Sequence, residues 1–268
     1  MRLITRTKGQ YDHLEGELNG PYKVVVPLSG GKDSQVCLAL ALEEYEPHEV
    51  LAMFNDTGFE HPLTYAHVEN VTAFIGVDLV VLAAGTVRSV CTALKRMPGG
   101  PARHCTDRLK LRPSRRFYKE LARVQGGYEV WIGIRSDESP AREKRYKGKI
   151  ATDLYMLHEF MPSTYPQYLG TMGVKARLPI IDWATDEVFA KLGTSANPLY
   201  TRCEGTQRVG CFPCLASRDA SKLRDFRFDE TGAKHYEIAK ELSEIAGHPL
   251  FNSKGHDKYN DGCAICSI

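Results

Sequence analysis

The sequence predicts an α/β protein: a doubly wound, mostly parallel sheet followed by a cysteine-rich C-terminal extension. Three observations carry that expectation. The Val-rich run Tyr22-Lys-Val-Val-Val-Pro-Leu28 ends in a glycine turn that opens a helix. The same strand–turn–helix order then recurs along the chain, which favours parallel pairing with helices on both faces. From Asn197 onward the pattern changes to loops holding most of the eight cysteines.

The elements follow in order. The first strand, 22–28, passes through Ser29–Ser34 into a buried helix from Gln35 to Tyr45. Val50–Phe54 is the second strand; Asn55-Asp-Thr-Gly58 turns it into a helix from about Leu63 to Ile75, with Pro62 suited to the first turn. Asp78–Ala83, Glu129–Ile134 and Ala176–Ile181 read as further strands, and Arg108–Arg123 as a helix between them. One clear helix, near Ala233 to Ala246, stands in the last third. Residues 1–200 are expected to form the α/β unit, with 201–268 packed on it. Parallel sheets bind ligands at the carboxyl ends of their strands. The polar segments 29–34, 55–62, 135–142 and the stretch after 181 all fall there.

Composition narrows the classes. With 43% hydrophobic and 25% charged residues the chain is globular, and a net charge of +2 confines any polyanion site to a local patch. No apolar run is long enough to span a bilayer, and the first twenty residues lack the apolar segment and cleavage site of a signal peptide. A cytoplasmic location is therefore expected, where cysteines serve metals, clusters or redox chemistry more often than disulfides.

Ser29-Gly-Gly-Lys-Asp-Ser34 has the parts of a phosphate cradle. Gly30 and Gly31 let backbone N–H groups approach a ligand, the following helix adds its positive end, and Lys32 adds a charge. It is not a Walker A loop, because Val26 stands where that motif needs glycine. Asp56 suits Mg²⁺ or nucleotide orientation. Arg135 and Arg142 suit bidentate clamping of phosphate or sulfate oxygens. The basic stretch 103–119, with Arg108 and Lys110, reads as an anion-binding surface or as a solvated helix face. Cys37 and Cys91 read as buried small hydrophobes. Cys211-x2-Cys214 places two thiolates on one turn, and Cys263-x2-Cys266 could complete a zinc site with it.

The loop Ser29–Ser34 resembles the PP-loop of the adenine-nucleotide α-hydrolases, or ATP pyrophosphatases. Residues 56–62, 103–113, 133–142, 179–183, 197–200 and 210–214 follow in the order of the phosphoadenylylsulfate (PAPS) reductase branch. The resemblance implies a Rossmann-like fold. It also implies nucleotide contacts from Ser29, Gly30, Gly31, Lys32, Asp33, Ser34, Asp56, Thr57, Gly58, Arg135 and Arg142, with Arg108 and Lys110 as anion ligands. Lys32 and Asp33 are then catalytic, with Mg²⁺ accompanying ATP. A [4Fe–4S] cluster on Cys105, Cys203, Cys211 and Cys214 is implied, with Cys263 or Cys266 as alternatives for the fourth ligand. Cys266 stands as a terminal catalytic thiol.

Two departures separate the chain from cluster-bearing sulfonucleotide reductases. Their early Cys-Cys pair is a single Cys105 between His104 and Thr106, and their terminal Glu-Cys-Gly motif is replaced by Asp261-Gly-Cys-Ala-Ile-Cys-Ser-Ile268. The complete ATP-type loop favours cleavage of ATP to AMP and pyrophosphate, activating an acceptor for sulfur transfer in the manner of phosphorothioate-DNA sulfurtransferases. The expected partners are ATP or a sulfonucleotide, a nucleic-acid acceptor, and a cysteine-desulfurase or thioredoxin-like donor, with no membrane. The alternatives are a PAPS or adenylylsulfate (APS) reductase and a zinc-stapled nucleotide-binding module without catalysis.

Overall fold

The computed structural model describes residues 18–99, 103–160 and 165–251. Six strands form one sheet: β1 Val24–Pro27, β2 Val50–Asp56, β3 Asp78–Ala83, β4 Tyr128–Trp131, β5 Tyr155–Met156 and β6 Val174–Arg177. Their order is β3-β2-β1-β4-β6-β5. All neighbours run parallel except β5, which pairs antiparallel with β6 at the edge.

Alternation along each strand explains how both faces are covered. Val25, Leu51, Met53, Val80 and Val130 point to one side, where they meet Phe117, Tyr118 and Leu121 of helix α4 (Arg112–Gln125). Val24, Val26, Ala52, Phe54 and Trp131 point to the other. There they meet α1 (Lys32–Glu44), α2 (Pro62–Ile75) and α6 (Thr185–Leu192). Burial on both sides is why β1 is an unbroken valine run. Cys37 and Cys91 are 0% and 1% exposed and pack as apolar residues. A third apolar cluster joins Phe59 and α3 (Val87–Leu94) to α7 (Asp219–Phe226) and α8 (Glu230–Ala246), through Leu109, Leu215, Phe226, Ala239 and Leu242. The extension thus rests on the turn after β2.

Several elements differ from expectation for local reasons. β4 ends at Trp131 and β6 at Arg177, short of Ile134 and Ile181. The two-residue β5 is too short to carry a pattern. The helix expected from Arg108 opens as a wide π turn over Asp107–Leu111. Pro113 has no N–H to return to the preceding turn, which favours such a widening. The last helix starts at Glu230, because the Asp229 carboxylate accepts the Gly232 N–H at 3.0 Å and caps it.

The chain leaves β1 toward β2 and β3, then crosses back to β4 on the other side of β1. The turns after β1 and β4 therefore diverge, and the crevice between them is where such sheets bind ligands. Gly133, just past β4, lets the two turns touch: a Cβ there would lie 2.8 Å from the Asp33 carbonyl carbon and 2.9 Å from the Ser34 nitrogen. Both neighbours are backbone and cannot swing aside. Gly133→Ala should cost about 1–3 kcal/mol through overpacking against the Asp33–Ser34 backbone. Thermal melts would check this; a variant matching the parent would contradict it.

Candidate nucleotide site

The turn after β1 is held by its own side chains. Ser34 Oγ accepts the Ser29 N–H at 3.1 Å and donates to the Gly31 carbonyl at 2.9 Å, and the two serine hydroxyls lie 3.1 Å apart. Gly30 has φ of +75°, and a Cβ on it would meet Thr64 at 2.6 Å. Asn197 donates to the Gly30 carbonyl at 3.0 Å. This turn opens onto a cavity of about 650 Å³ at the sheet's crevice. Ser29, Gly31, Asp33 and Ser34 line one side. Arg103 and Lys110, residues 137–140, and the segment 205–218 with Ser221, Arg224 and Asp225 form the rest.

Lys32 is 3% exposed and turned back into the protein. Its Nζ donates to Asp33 at 3.0 Å and to the Gln207 carbonyl at 3.3 Å. Burial lowers its pKa, partly opposed by Asp33. Asp33 links this lysine to Arg135, whose Nε donates to it at 2.6 Å.

The two arginines expected to clamp phosphate serve carboxylates of the protein instead. Arg135, 2% exposed, bonds Asp33, Asp137, the Trp183 carbonyl and the Thr185 hydroxyl. Arg142, 0% exposed, pairs with Glu138, which also takes Arg208 at 2.5 Å. Both arginines hold residues that line the cavity. Arg142 stands in α5 (Pro140–Tyr146), which Ser139 caps by accepting the Arg142 N–H. Of the anion ligands expected in the basic stretch, Lys110 lines the cavity and Arg108 is exposed.

The acidic turn after β2 is largely satisfied within itself. The Asp56 carboxylate accepts the Gly58 N–H and the Tyr65 hydroxyl, each at 2.8 Å. Thr57 gives both its N–H and its hydroxyl to Glu60, at 3.1 and 2.6 Å. Glu60 pairs in a β-bridge with Cys211, whose Sγ is 3.3 Å from the Thr57 hydroxyl and 3.8 Å from the Glu60 carboxylate. Burial, reinforced by Glu60, pushes the Cys211 thiol well up, against the pull of Lys110.

The four cysteines expected to share a cluster are only partly brought together. Cys211 and Cys214 both line the cavity. Cys105 packs, as Cys211 does, against the third apolar cluster. Cys203 is 2% exposed among Leu199 and Phe212, with Asp225 4.0 Å from its sulfur. Among the described residues, no three His, Cys, Asp or Glu side chains form a metal-holding group. Among the described residues these positions do not make a four-cysteine cage. Cys263 and Cys266, with the expected terminal thiol chemistry, lie outside the described residues. The sequence assigns no role to Arg208, Arg218, Ser221, Arg224 or Phe189, which reach the site from distant segments without a local pattern of their own; Tyr200 lies in the matched segment 197–200 but carries no assigned role there.

A doubly wound α/β sheet with a glycine-turned anion loop at its switch point defines a PP-loop nucleotide-site protein. The chain belongs to the phosphoadenosine phosphosulfate reductase domain family, whose model matches residues 23–217. It is 34% identical, over 81% of its length and 79% of the relative's, to the nin region protein ORF290 of Escherichia phage lambda. A phosphoadenylyl-sulfate reductase from Candida auris, solved as a phosphate complex, is similar at 18% identity and a TM-score of 0.49, covering 73% of this chain and 83% of that one. A U34-tRNA thiolase from Methanococcus maripaludis with its [4Fe-4S] cluster is similar at 17% identity and a TM-score of 0.42, covering 94% and 82%. Among the described residues no helix is long and apolar enough to cross a membrane.

Proposed function

We propose that this chain is a PP-loop enzyme that cleaves ATP between the α- and β-phosphates and activates an acceptor for sulfur transfer. The observation that carries the reading is the complete Ser29–Ser34 loop facing a cavity at the sheet's switch point. An acceptor oxygen attacks the α-phosphorus, the bond to the bridging oxygen breaks, and pyrophosphate leaves with the charge. A sulfur nucleophile then displaces AMP from the adenylylated acceptor.

The loop's parts suit the leaving group. The positive end of α1 and the Ser29 hydroxyl suit charge developing on the departing oxygens, and the Lys32 ammonium adds a full charge when it turns toward them. In the state described, the ammonium is held by Asp33 and the Gln207 carbonyl. Reaching pyrophosphate requires that it leave the carbonyl. Asp33 and Arg135 fix the base of that movement. Mg²⁺ arrives with ATP as part of the substrate.

The rest of the cavity suits an anionic acceptor such as nucleic acid, because Arg103, Lys110, Arg208 and Arg218 line it from two segments. Cys211 and Cys214 line the same cavity as the Ser29–Ser34 loop, which supports delivery of sulfur or electrons there by a cysteine-desulfurase or thioredoxin-like donor. That same placement favours a second reading, reduction of APS or PAPS by a dithiol donor.

Assays run side by side separate the two. Pyrophosphate release from Mg-ATP, with no sulfite from APS or PAPS in the presence of reduced thioredoxin, is the expected result. Sulfite release without pyrophosphate from ATP would replace the first reading with the second. Neither product, with nucleotide bound, would support a binding module.

A further inference from the structure

We propose that Phe189 and Tyr200 are positioning residues for Lys32, walling its ammonium off from water so that it stays aligned on Asp33. The role of Lys32 toward phosphate rests on the reading above; the wall itself rests on geometry alone. Lys32 Nζ lies 5.8 Å from the ring centre of Phe189 and 5.9 Å from that of Tyr200, within the range where an aromatic face attracts a cation. The two rings stand edge to face, with centres 5.3 Å apart and planes at 88°. They come from separate elements: Phe189 from α6, and Tyr200 from a single turn, Leu199–Arg202.

The Tyr200 hydroxyl does a second job. It accepts the Lys32 N–H at 3.0 Å and also bonds the backbone of Val209. One phenol therefore ties the first residue of α1 to the segment that covers the lysine. The Gln207 carbonyl, in that same segment, accepts from the ammonium at 3.3 Å.

The charged groups that act on this ammonium are Asp33, Arg135 and Arg208. On α6, Glu187 and Lys191 are engaged elsewhere, with the Ala184 N–H and with Glu43. What α6 offers the ammonium is the Phe189 ring. Removal of water makes a charge act more strongly on a nearby phosphate oxygen and penalises the ammonium form, consistent with the lowered pKa of Lys32.

The test reads Lys32 directly, without substrate. Competitive acetylation of the full chain from pH 7 to pH 11, quantified at Lys32 by mass spectrometry, gives the midpoint at which the amine becomes reactive. In Phe189→Leu and Tyr200→Leu, the lost ring attraction pulls the midpoint down, but the water that returns to the ammonium outweighs it, and the midpoint should rise by about one pH unit, a tenfold change in proton affinity. In Tyr200→Phe the ring remains, so the midpoint should stay at the parent value. The single-ring variant at Phe189 leaves the Tyr200 tie intact and guards against a fold that fails in Tyr200→Leu.

Kinetics supply the second readout. Phe189→Leu should lower kcat for pyrophosphate release several-fold while KM for Mg-ATP changes little, because the ammonium acts on charge that develops in the transition state. Unchanged midpoints in both leucine variants would overturn the proposal, as would a Tyr200→Phe midpoint that moves with them. Shifted midpoints in the leucine variants, with no pyrophosphate released by the parent, would uphold the aromatic wall and defeat the assigned reaction instead.

Discussion

Lys32→Met should reduce pyrophosphate release by about 10²–10³-fold, the usual cost of removing one preorganised donor from a developing anion. Methionine fills most of the lysine stem, so the apolar contacts with Phe189 and Tyr200 survive. Asp33 keeps Arg135 at 2.6 Å and is not left as a lone buried carboxylate. Stability should therefore change far less than activity. The loss should fall on kcat, since the ammonium is asked to stabilise charge that appears only as the bond to the bridging oxygen breaks. Steady-state pyrophosphate assays with saturating Mg-ATP, beside a thermal melt, decide it. Parent turnover in a folded variant would remove Lys32 from the chemistry. Equal losses of turnover and folded protein would make it a structural residue.

The loop and its sheet were legible because their causes are local. A valine run that must be buried on two faces, a pair of glycines and a helix start stand within a dozen residues of one another. The direction of a charged side chain is not local in this sense. Arg135 and Arg142 read as ligand clamps because arginine suits oxyanions, but the sequence does not say which side of a loop faces the cavity. Here both point inward, to Asp33 with Asp137 and to Glu138. Cys203 illustrates the same gap. Its spacing to Cys211 and Cys214 suits a shared ligand set, yet Cys203 packs with Leu199 and Phe212 while the other two line the cavity. Asp56 also read as a nucleotide or metal ligand, and its carboxylate instead closes its own turn through Gly58 and Tyr65. Spacing counts residues and leaves the rotation of the backbone between them open. Tyr200 and Gln207 were out of reach for another reason: their contacts with Lys32 close over 168 and 175 residues, and no pattern within either segment encodes the partner.

The buried arginine supplies the second large effect. Arg135→Met should destabilise the fold by about 3–5 kcal/mol, the cost of breaking a buried ion pair by removing one partner. The guanidinium is 2% exposed and reaches Asp33, Asp137, the Trp183 carbonyl and the Thr185 hydroxyl. Its removal leaves Asp33, itself only 14% exposed, with Lys32 as its remaining cation. Arg135→Lys restores the charge but not the planar fork, and one ammonium cannot meet acceptors spread on three segments. That variant should recover part of the stability and little of the turnover, because Asp33 would no longer be fixed against Lys32. A double-mutant cycle tests the cause. If the penalty comes from the lost Arg135–Asp33 pair, Asp33→Asn should cost less in the Arg135→Met background than in the parent, with a coupling of about 0.5–3 kcal/mol. Denaturant melts of the four proteins measure it. Strict additivity would trace the loss to the vacated volume and the Trp183 and Thr185 bonds, and would break the chain of support from Arg135 through Asp33 to the lysine.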